Sequence, residues 1–350
     1  MTKAAELAKM GEVLTNSQLG GRRNIVINGA MQVAQRSTSE TGVFDSNKYE
    51  TLDRYYILGN GAGRATMTQT ADGPDGFANC LKLACTTTDT SIAAGEFGIV
   101  QMNFEGQDLQ QIKKGTGNAE KVTVSFYVKA NASATYSVEL EDKDNSRYNS
   151  QEFSVTTGWT RVIKTFSADT TGAFDDDNGG SLGLNFWLHA GSNFTGGTHT
   201  DDVWHTTTNQ RAGDNQTSFF DSTDRTFFLT GLQMEIGSQA TPFEHRSFGE
   251  ELLLCQRYYQ DPQLSSGNYL WMHPITTDST GGYRRASFKL PTAMRADPTV
   301  TVTGTTNGTF SGSYPATEGN DHRHYVGFIG DTSAESKYAY IESLKLDAEL

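Results

Sequence analysis

The chain of 350 residues predicts an all-β protein, an antiparallel sandwich of two sheets with a short N-terminal helix, a connecting helix and a smaller C-terminal β domain. Three observations predict it. Several segments alternate apolar and polar residues with a period of two. Gly, with 36 residues, far outnumbers Pro, with 7, and Thr, Ser, Asn and Asp cluster between the apolar runs, as turn residues do between strands. No βαβ alternation interrupts the pattern. At roughly 100–200 residues per domain, the length fits two domains, or one large β domain with additions.

Residues 1–48 read as a helix followed by an attachment or connector segment. Thr2 is an N-cap residue, and Leu7, Met10 and Leu14 recur at helical spacing on one stripe over residues 1–14. A helix this short needs a partner. It docks on its own body, packs with copies of itself, or attaches the chain to a larger assembly. Within the polar connector, Asn24-Ile25-Val26-Ile27-Asn28 is a strong strand signal, and the body begins near Tyr49.

The body, 49–245, carries the period of two. In Val122–Val128, the residues Val122, Val124, Phe126 and Val128 share one face, with Thr123, Ser125 and Tyr127 on the other. The pattern returns in Tyr136–Glu141, Leu182–Leu188 and Leu232–Ile236, and apolar stretches at Cys80–Cys85, Phe97–Phe104 and Val162–Phe166 complete two stacked sheets. Between Thr170 and Asp224, eight Asp face one Arg, a balance of −7. Ala190 to Asp221 is too polar for core and too long for a hairpin loop, so it is expected to be a surface excursion, functional or held by its neighbours.

Residues 246–260 read as a connecting helix. Ser247 and Glu250 form a capping-box pair, and Phe248, Leu252, Cys255 and Tyr259 fall on one face. Asp261-Pro262 ends it. Short strands at Asn268–Met272, Arg285–Leu290, Thr299–Thr303, Tyr325–Ile329 and Tyr338–Leu346 make 261–350 a smaller β domain.

A net charge of −13 with 28 Lys and Arg provides no footprint for a phosphate backbone, so nucleic acid is not an expected partner. No apolar run reaches bilayer length, and Met1 to Leu14 lacks the apolar segment of a signal peptide. The expectation is a soluble chain made in a cytoplasm, with no membrane insertion. Cys80, Cys85 and Cys255 have no CxxC spacing and read as buried small residues or surface bystanders.

Chemistry is read residue by residue. Tyr127 and Trp187 lie on the polar faces of their strands, with Asn185, His189 and Trp204 nearby in sequence. Outward aromatics with amides around them suit a pyranose; they equally suit support of the long excursion or burial against a neighbouring subunit. Asp175-Asp176-Asp177-Asn178 and Glu141-Asp142-Lys143-Asp144-Asn145 offer oxygens for Ca²⁺, but neither has the spacing of a known Ca²⁺ loop, and both read as solvated turns. His322-Arg323-His324 puts His322 and His324 on one side of an extended strand, where three copies around an axis would hold one transition metal. No GxSxG, HExxH, P-loop or GxGxxG occurs in a strand-to-helix setting, so neither an enzyme nor a cofactor is expected. Paired acids keep a glycan-degrading hydrolase as the alternative.

With these residues laid out, the chain resembles phage tail-fibre-like virion structural proteins, particularly those of marine and cyanobacterial phages. Asn24-Ile25-Val26-Ile27-Asn28-Gly29-Ala30-Met31-Gln32-Val33-Ala34-Gln35-Arg36 resembles the family's N-terminal signature. The stretch from Thr230-Gly231-Leu232-Gln233-Met234-Glu235-Ile236-Gly237 through Pro242-Phe243-Glu244-His245-Arg246-Ser247, running on to Cys255-Gln256-Arg257-Tyr258-Tyr259, resembles its body-ending signature, and Leu290–Pro298 is similar to C-terminal fibre domains. The middle resembles the jelly roll of carbohydrate-binding modules, with Ser125–Ala130 as a core strand and Gly158-Trp159-Thr160-Arg161 as a Trp-initiated one. These modules often place an Asp before the last strand, where this chain reads Phe228-Leu229-Thr230-Gly231. The resemblance implies a jelly-roll body and a virion protein acting in host adsorption as a homotrimer. It further implies contacts to other virion proteins through the N-terminal segment and to host surface polysaccharide. A head-decoration or head-fibre protein is the rival within that class.

Overall fold

In a computed structural model the described residues are 3–4, 22–262, 270–271, 273–274, 282–306, 325–332 and 339–350. The chain divides into two compact units, Met1–Ser247 and Phe248–Leu350. The N-terminal helix with Leu7, Met10 and Leu14, and the pair His322 and His324, lie outside the described residues.

The first unit is an antiparallel jelly-roll sandwich of twelve named strands: β1 (Ser39–Val43), β2 (Lys48–Tyr49), β3 (Tyr56–Gly59), β4 (Arg64–Thr70), β5 (Cys80–Thr87), β6 (Phe97–Glu105), β7 (Val122–Ala130), β8 (Ala134–Asp142), β9 (Arg147–Val155), β10 (Thr160–Phe166), β11 (Gly180–Ala190) and β12 (Thr226–Ile236). One sheet has the order β1-β4-β5-β12-β7-β10 and the other β2-β3-β6-β11-β8-β9, so the chain repeatedly crosses from sheet to sheet. The period of two explains the layering, because successive side chains leave opposite faces of a pleated strand. Val124, Phe126 and Val128 of β7 and Leu184, Phe186 and Leu188 of β11 all enter one core. Phe126 there meets Phe153 and Phe186 edge to face, with ring centroids 5.1 and 5.0 Å apart.

The body starts earlier than Tyr49: Val26, Met31, Val43 and Phe44 are already in the core. Nor is Asn24–Asn28 a strand. It is a tether, whose bonds go to the distant end of the body instead of to a ladder. The Asn24 side chain accepts from the Met234 N–H at 3.0 Å and donates to the Leu232 carbonyl at 3.2 Å, while its N–H donates to Glu244 at 2.8 Å. The Ile25 N–H reaches the Met234 carbonyl at 3.0 Å, and Arg246 donates to the Val26 carbonyl at 2.9 Å. The passages Asn24–Arg36 and Thr230–Ser247 are thus one knot, although 200-odd residues separate them. Within it, Gly231 bulges out of β12 with φ +59; a Cβ there would stand 2.7 Å from the Phe77 ring and 2.9 Å from Tyr127.

The excursion between β11 and β12 contains one helical turn, Ser192–Thr195, and a short 3-10 turn, Thr208–Gln210. It is held by neighbours throughout. Thr217 N–H donates to Thr135, Phe219 N–H to Leu188, and Tyr148 and His205 exchange two backbone bonds. Contrary to its polar average, it supplies core: Ala212, Phe219 and Phe220 are buried.

The acidic turn at Asp142 is held by a lysine. Lys114 Nζ, its side chain 2% exposed, lies 2.5 Å from Asp142 and 3.1 Å from Asp169, and donates to the Thr171 and Gly172 carbonyls at 2.7 and 2.8 Å. Arg147 completes the cluster with two bonds to Asp169 at 2.7 and 3.1 Å.

The second unit opens with the helix Phe248–Gln256, shorter than the 246–260 expected. Its buried residues are Glu251 and Cys255, whereas Phe248 is 57% exposed, and Tyr259 belongs to β13 (Tyr259–Gln260). The chain leaves the helix at Arg257 to pair with β19 (Ala339–Asp347), which also pairs β14 (Leu270–Trp271) and β17 (Thr299–Thr306). A second small sheet joins β15 (His273–Pro274), β16 (Gly282–Lys289) and β18 (Tyr325–Thr332). The three cysteines are free and buried. Among the described residues, no helix is long and apolar enough to cross a membrane.

Replacing Lys114 with Met leaves two carboxylates buried beside an apolar chain, and should lower stability by about 3–5 kcal/mol in denaturant unfolding. Burial opposes ionisation of Asp169, but bonds from Arg147, Thr171 N–H and Lys114 outweigh it and hold its pKa below 3.8. The folded pKa is depressed, so this stabilisation is complete above pH 3.8 and is lost as pH falls through the lower folded value. Arg147→Met should make acid unfolding begin at higher pH, followed by near-ultraviolet circular dichroism.

Candidate functional site

The outer face of the β2–β9 sheet carries the largest organised set of polar side chains in the first unit. It follows from the same alternation that builds the core. Where Leu182, Leu184, Phe186 and Leu188 point in, Gly183, Asn185, Trp187 and His189 must point out. The register aligns these with outward residues on the neighbouring strands. One row runs Tyr49, Tyr56, Gln101, Asn185, Glu139, Ser150 across all six strands. A second runs Asn103, Gly183, Glu141, Tyr148 beside it, and a third, Leu58, Ile99, Trp187, Ser137, Glu152. At about 4.8 Å per strand, Tyr56 and Tyr148 stand on the order of 19 Å apart.

The excursion decides which rows are covered. Phe194 and Ala212 pack over Ile99, Trp187, Leu58 and Phe97, closing the apolar row. The Trp187 indole N–H donates to Glu139 at 2.8 Å, and Phe194 stacks at 5.0 Å. Arg211 then reaches down as a wall: it makes two bonds to Glu139, at 2.8 and 3.0 Å, a third contact to Glu141 at 2.9 Å, and lies 4.1 Å over the Tyr148 ring. Burial works against the Arg211 cation, and Glu139 and Glu141 outweigh it, raising its pKa.

The two remaining rows form a polar strip with a tyrosine at each end. Gln101 donates to Asn185 at 2.7 Å, Asn185 donates to Glu139 and Glu141 at 2.8 and 2.9 Å, and Lys143 donates to Asn103 at 2.6 Å. These bonds fix the rotamers of the floor before anything binds. Gly183 leaves a dent in it: a Cβ there would meet Gln101, Asn185 and Glu141 atoms at 3.1 to 3.3 Å. Tyr49 and Tyr56 rings lie 4.6 Å apart, and Tyr49 OH accepts from Asn103 at 3.3 Å. Among the described residues the Tyr56 and Tyr148 hydroxyls have no hydrogen-bond partner in the chain. Burial raises the pKa of Tyr56, and raises that of Tyr148 against the pull of Arg211, so both stay phenols able to donate and accept.

The sequence-predicted residues do not form one site. Tyr127 lies on the outer face of the other sheet, half-buried, its ring 5.3 Å from Phe77. Trp187 is 1% exposed, and Asn185 and His189 are buried, so the expectation of an outward Trp platform is corrected: the excursion covers it, which is the loop-supporting role. Asn185 remains as the centre of the polar floor. Trp204 is elsewhere again, at the sandwich edge, its N–H donating to the Ser167 carbonyl at 2.7 Å beside a small cavity of about 20 Å³. Sequence reading missed Tyr49, Tyr56, Gln101, Tyr148 and Arg211. Glu139 and Glu141 were visible as the polar face of an alternating segment, but the pairing register that sets them beside Asn185 was not.

No protein-family model matches the chain, and no curated protein matches it. Among solved structures the chain is similar to a family 4 carbohydrate-binding module, with 11% identity and a TM-score of 0.32 over 60% of this chain and 97% of that one. It is similar to the family 11 carbohydrate-binding module from Clostridium thermocellum in complex with a β-1,3-1,4-mixed-linked tetrasaccharide, with 9% identity and a TM-score of 0.31 over 59% and 99%. It is also similar to the enzymatically active domain of tailspike protein 4 of bacteriophage CBA120, with 10% identity and a TM-score of 0.32 over 61% of this chain and 21% of that one. The site's own geometry carries the functional reading.

Proposed function

We propose that this protein is a non-catalytic, glycan-binding bacteriophage virion protein of the tail-fibre or receptor-binding kind, holding host surface polysaccharide along the polar strip of the β2–β9 sheet. The observation that carries the glycan reading is the strip itself. A pyranose presents an apolar ring face and a rim of hydroxyls; the half-buried tyrosines at both ends suit the first, and Glu141 and Lys143, the accessible groups held over the buried amides of Gln101, Asn185 and Asn103, suit the second. A floor already locked by its own hydrogen bonds loses little freedom on binding.

The virion reading draws on the resemblance of Asn24–Arg36 and Thr230–Ser247 to phage structural proteins, two passages that hydrogen-bond to each other in the fold. A homotrimer, and attachment to other virion proteins through the N-terminal segment, belong to the same proposal. The non-catalytic reading draws on Glu139 and Glu141: both carboxylates are engaged by Arg211 and Asn185, and Glu139 is 0% exposed, an arrangement suited to orienting a floor.

The test is affinity electrophoresis in gels cast with host surface polysaccharide. Tyr56→Ala and Tyr148→Ala should each weaken retention about tenfold, equivalent to about 1.4 kcal/mol, while Tyr127→Ala leaves it unchanged. Unaltered retention of the Tyr56→Ala/Tyr148→Ala double variant would remove the strip as the site. New reducing ends on incubation with the polysaccharide would replace a binding module by a hydrolase.

Location and assembly are tested on particles and in solution. Immunogold labelling of virions is expected on the tail, and light scattering should give three chains per particle. Gold on capsid faces would favour the head-decoration rival.

A further inference from the structure

At the far end of β11 from the polar strip, His189 meets two acids from another part of the chain. Asp89, Glu96 and His189 each direct one ligand-type atom to a common point, all within 4.8 Å of one another. Asp89 is 6% exposed and His189 0%.

Three features distinguish this group from an ordinary acidic cluster. The first is an orphan atom: His189 Nε2 is buried with no hydrogen-bond partner, although Nδ1 is 2.8 Å from Ser218 Oγ. A buried ring nitrogen without a partner is destabilising unless something fills it. The second is the orientation of that ring. With Nδ1 bonded to Ser218 Oγ, Nε2 is the nitrogen left to take a metal in a cluster whose ligand atoms lie within 4.8 Å of one another, and a histidine held through its other nitrogen is the outer-shell arrangement usual for metal-bound histidines.

The third is room and charge. The carboxylates are oriented by backbone donors, Asp89 by Ala62 N–H at 2.8 Å and Glu96 by Ala93 N–H at 2.6 Å, and among the described residues no lysine or arginine pairs with either. Gly61 keeps the space beside them open, since a Cβ there would stand 2.9 Å from Asp89 Oδ2. Two carboxylates held this close repel each other when both are ionised, and an entering cation would relieve that repulsion.

We propose that Asp89, Glu96 and His189 bind one divalent transition-metal ion through His189 Nε2 and one oxygen from each carboxylate. One imidazole with two carboxylates suits Zn²⁺ or Mn²⁺. The ion ties the segment before β6 and the end of the excursion, through Ser218, to β11. Its role is structural, and it lies apart from the strip proposed to bind glycan.

The test uses the full chain carrying His322→Ala and His324→Ala, so that this pair contributes nothing, after chelator treatment and dialysis. Titration calorimetry with Zn²⁺ should show one site per chain, and Asp89→Asn with Glu96→Gln should weaken it more than about tenfold. Zn²⁺ should raise the melting temperature of the parent and leave that of Glu96→Gln unmoved. Without any variant in the cluster, saturating Zn²⁺ should shift the Nε2 resonance of His189 in nitrogen-correlated spectra. The proposal is overturned by the absence of saturable binding of both Zn²⁺ and Mn²⁺, by binding that the acid variants leave within twofold, or by a His189 signal that does not move.

Discussion

The Arg211–Glu139 pair decides what the outer face of the β2–β9 sheet can do. Glu139 stands at the middle of that face because its strand alternates, and its carboxylate must be satisfied there, since a buried unpaired charge is costly. Arg211 provides that partner from the excursion, with two bonds at 2.8 and 3.0 Å, and the same guanidinium covers Tyr148 and reaches Glu141. One side chain thus joins the 35-residue connection between β11 and β12 to the sheet face and stands between its apolar row and its polar strip.

Around that pair the polar groups satisfy one another in sequence: Trp187 and Asn185 to Glu139, Gln101 to Asn185, Lys143 to Asn103, Asn103 to Tyr49. Such a network is stable only when complete, and completeness also makes it rigid. Rigidity suits recognition of a weakly contacting ligand such as a polysaccharide, where each hydroxyl gains little and losses from reordering the protein would cancel the gain. The Lys114 cluster at the sandwich edge follows the same rule with ion pairs, holding a turn that an acidic sequence would otherwise push apart.

The knot between Asn24 and Glu244 gives the passages Asn24–Arg36 and Thr230–Ser247 a common physical task. Asn24 uses its amide twice on β12 and its backbone once on Glu244, so the entry and exit of the body are fixed to each other.

By itself the sequence determined the all-β class, the inward and outward sets on β7, β8, β11 and β12, the acidic excursion and most strands of the second unit, because a two-residue period is a local property of the chain. Asn24–Asn28 misled for the same reason: its composition favours a strand, but its backbone bonds are taken by residues 200 positions away. Only the tertiary structure decided that Tyr127 and Trp187 lie on opposite sheets, that Trp187 is covered, and that Tyr56, Gln101, Asn185 and Glu139 form one row. Strand order and register are set by long-range pairing and by what the excursion covers, and neither is written in the spacing of any single segment.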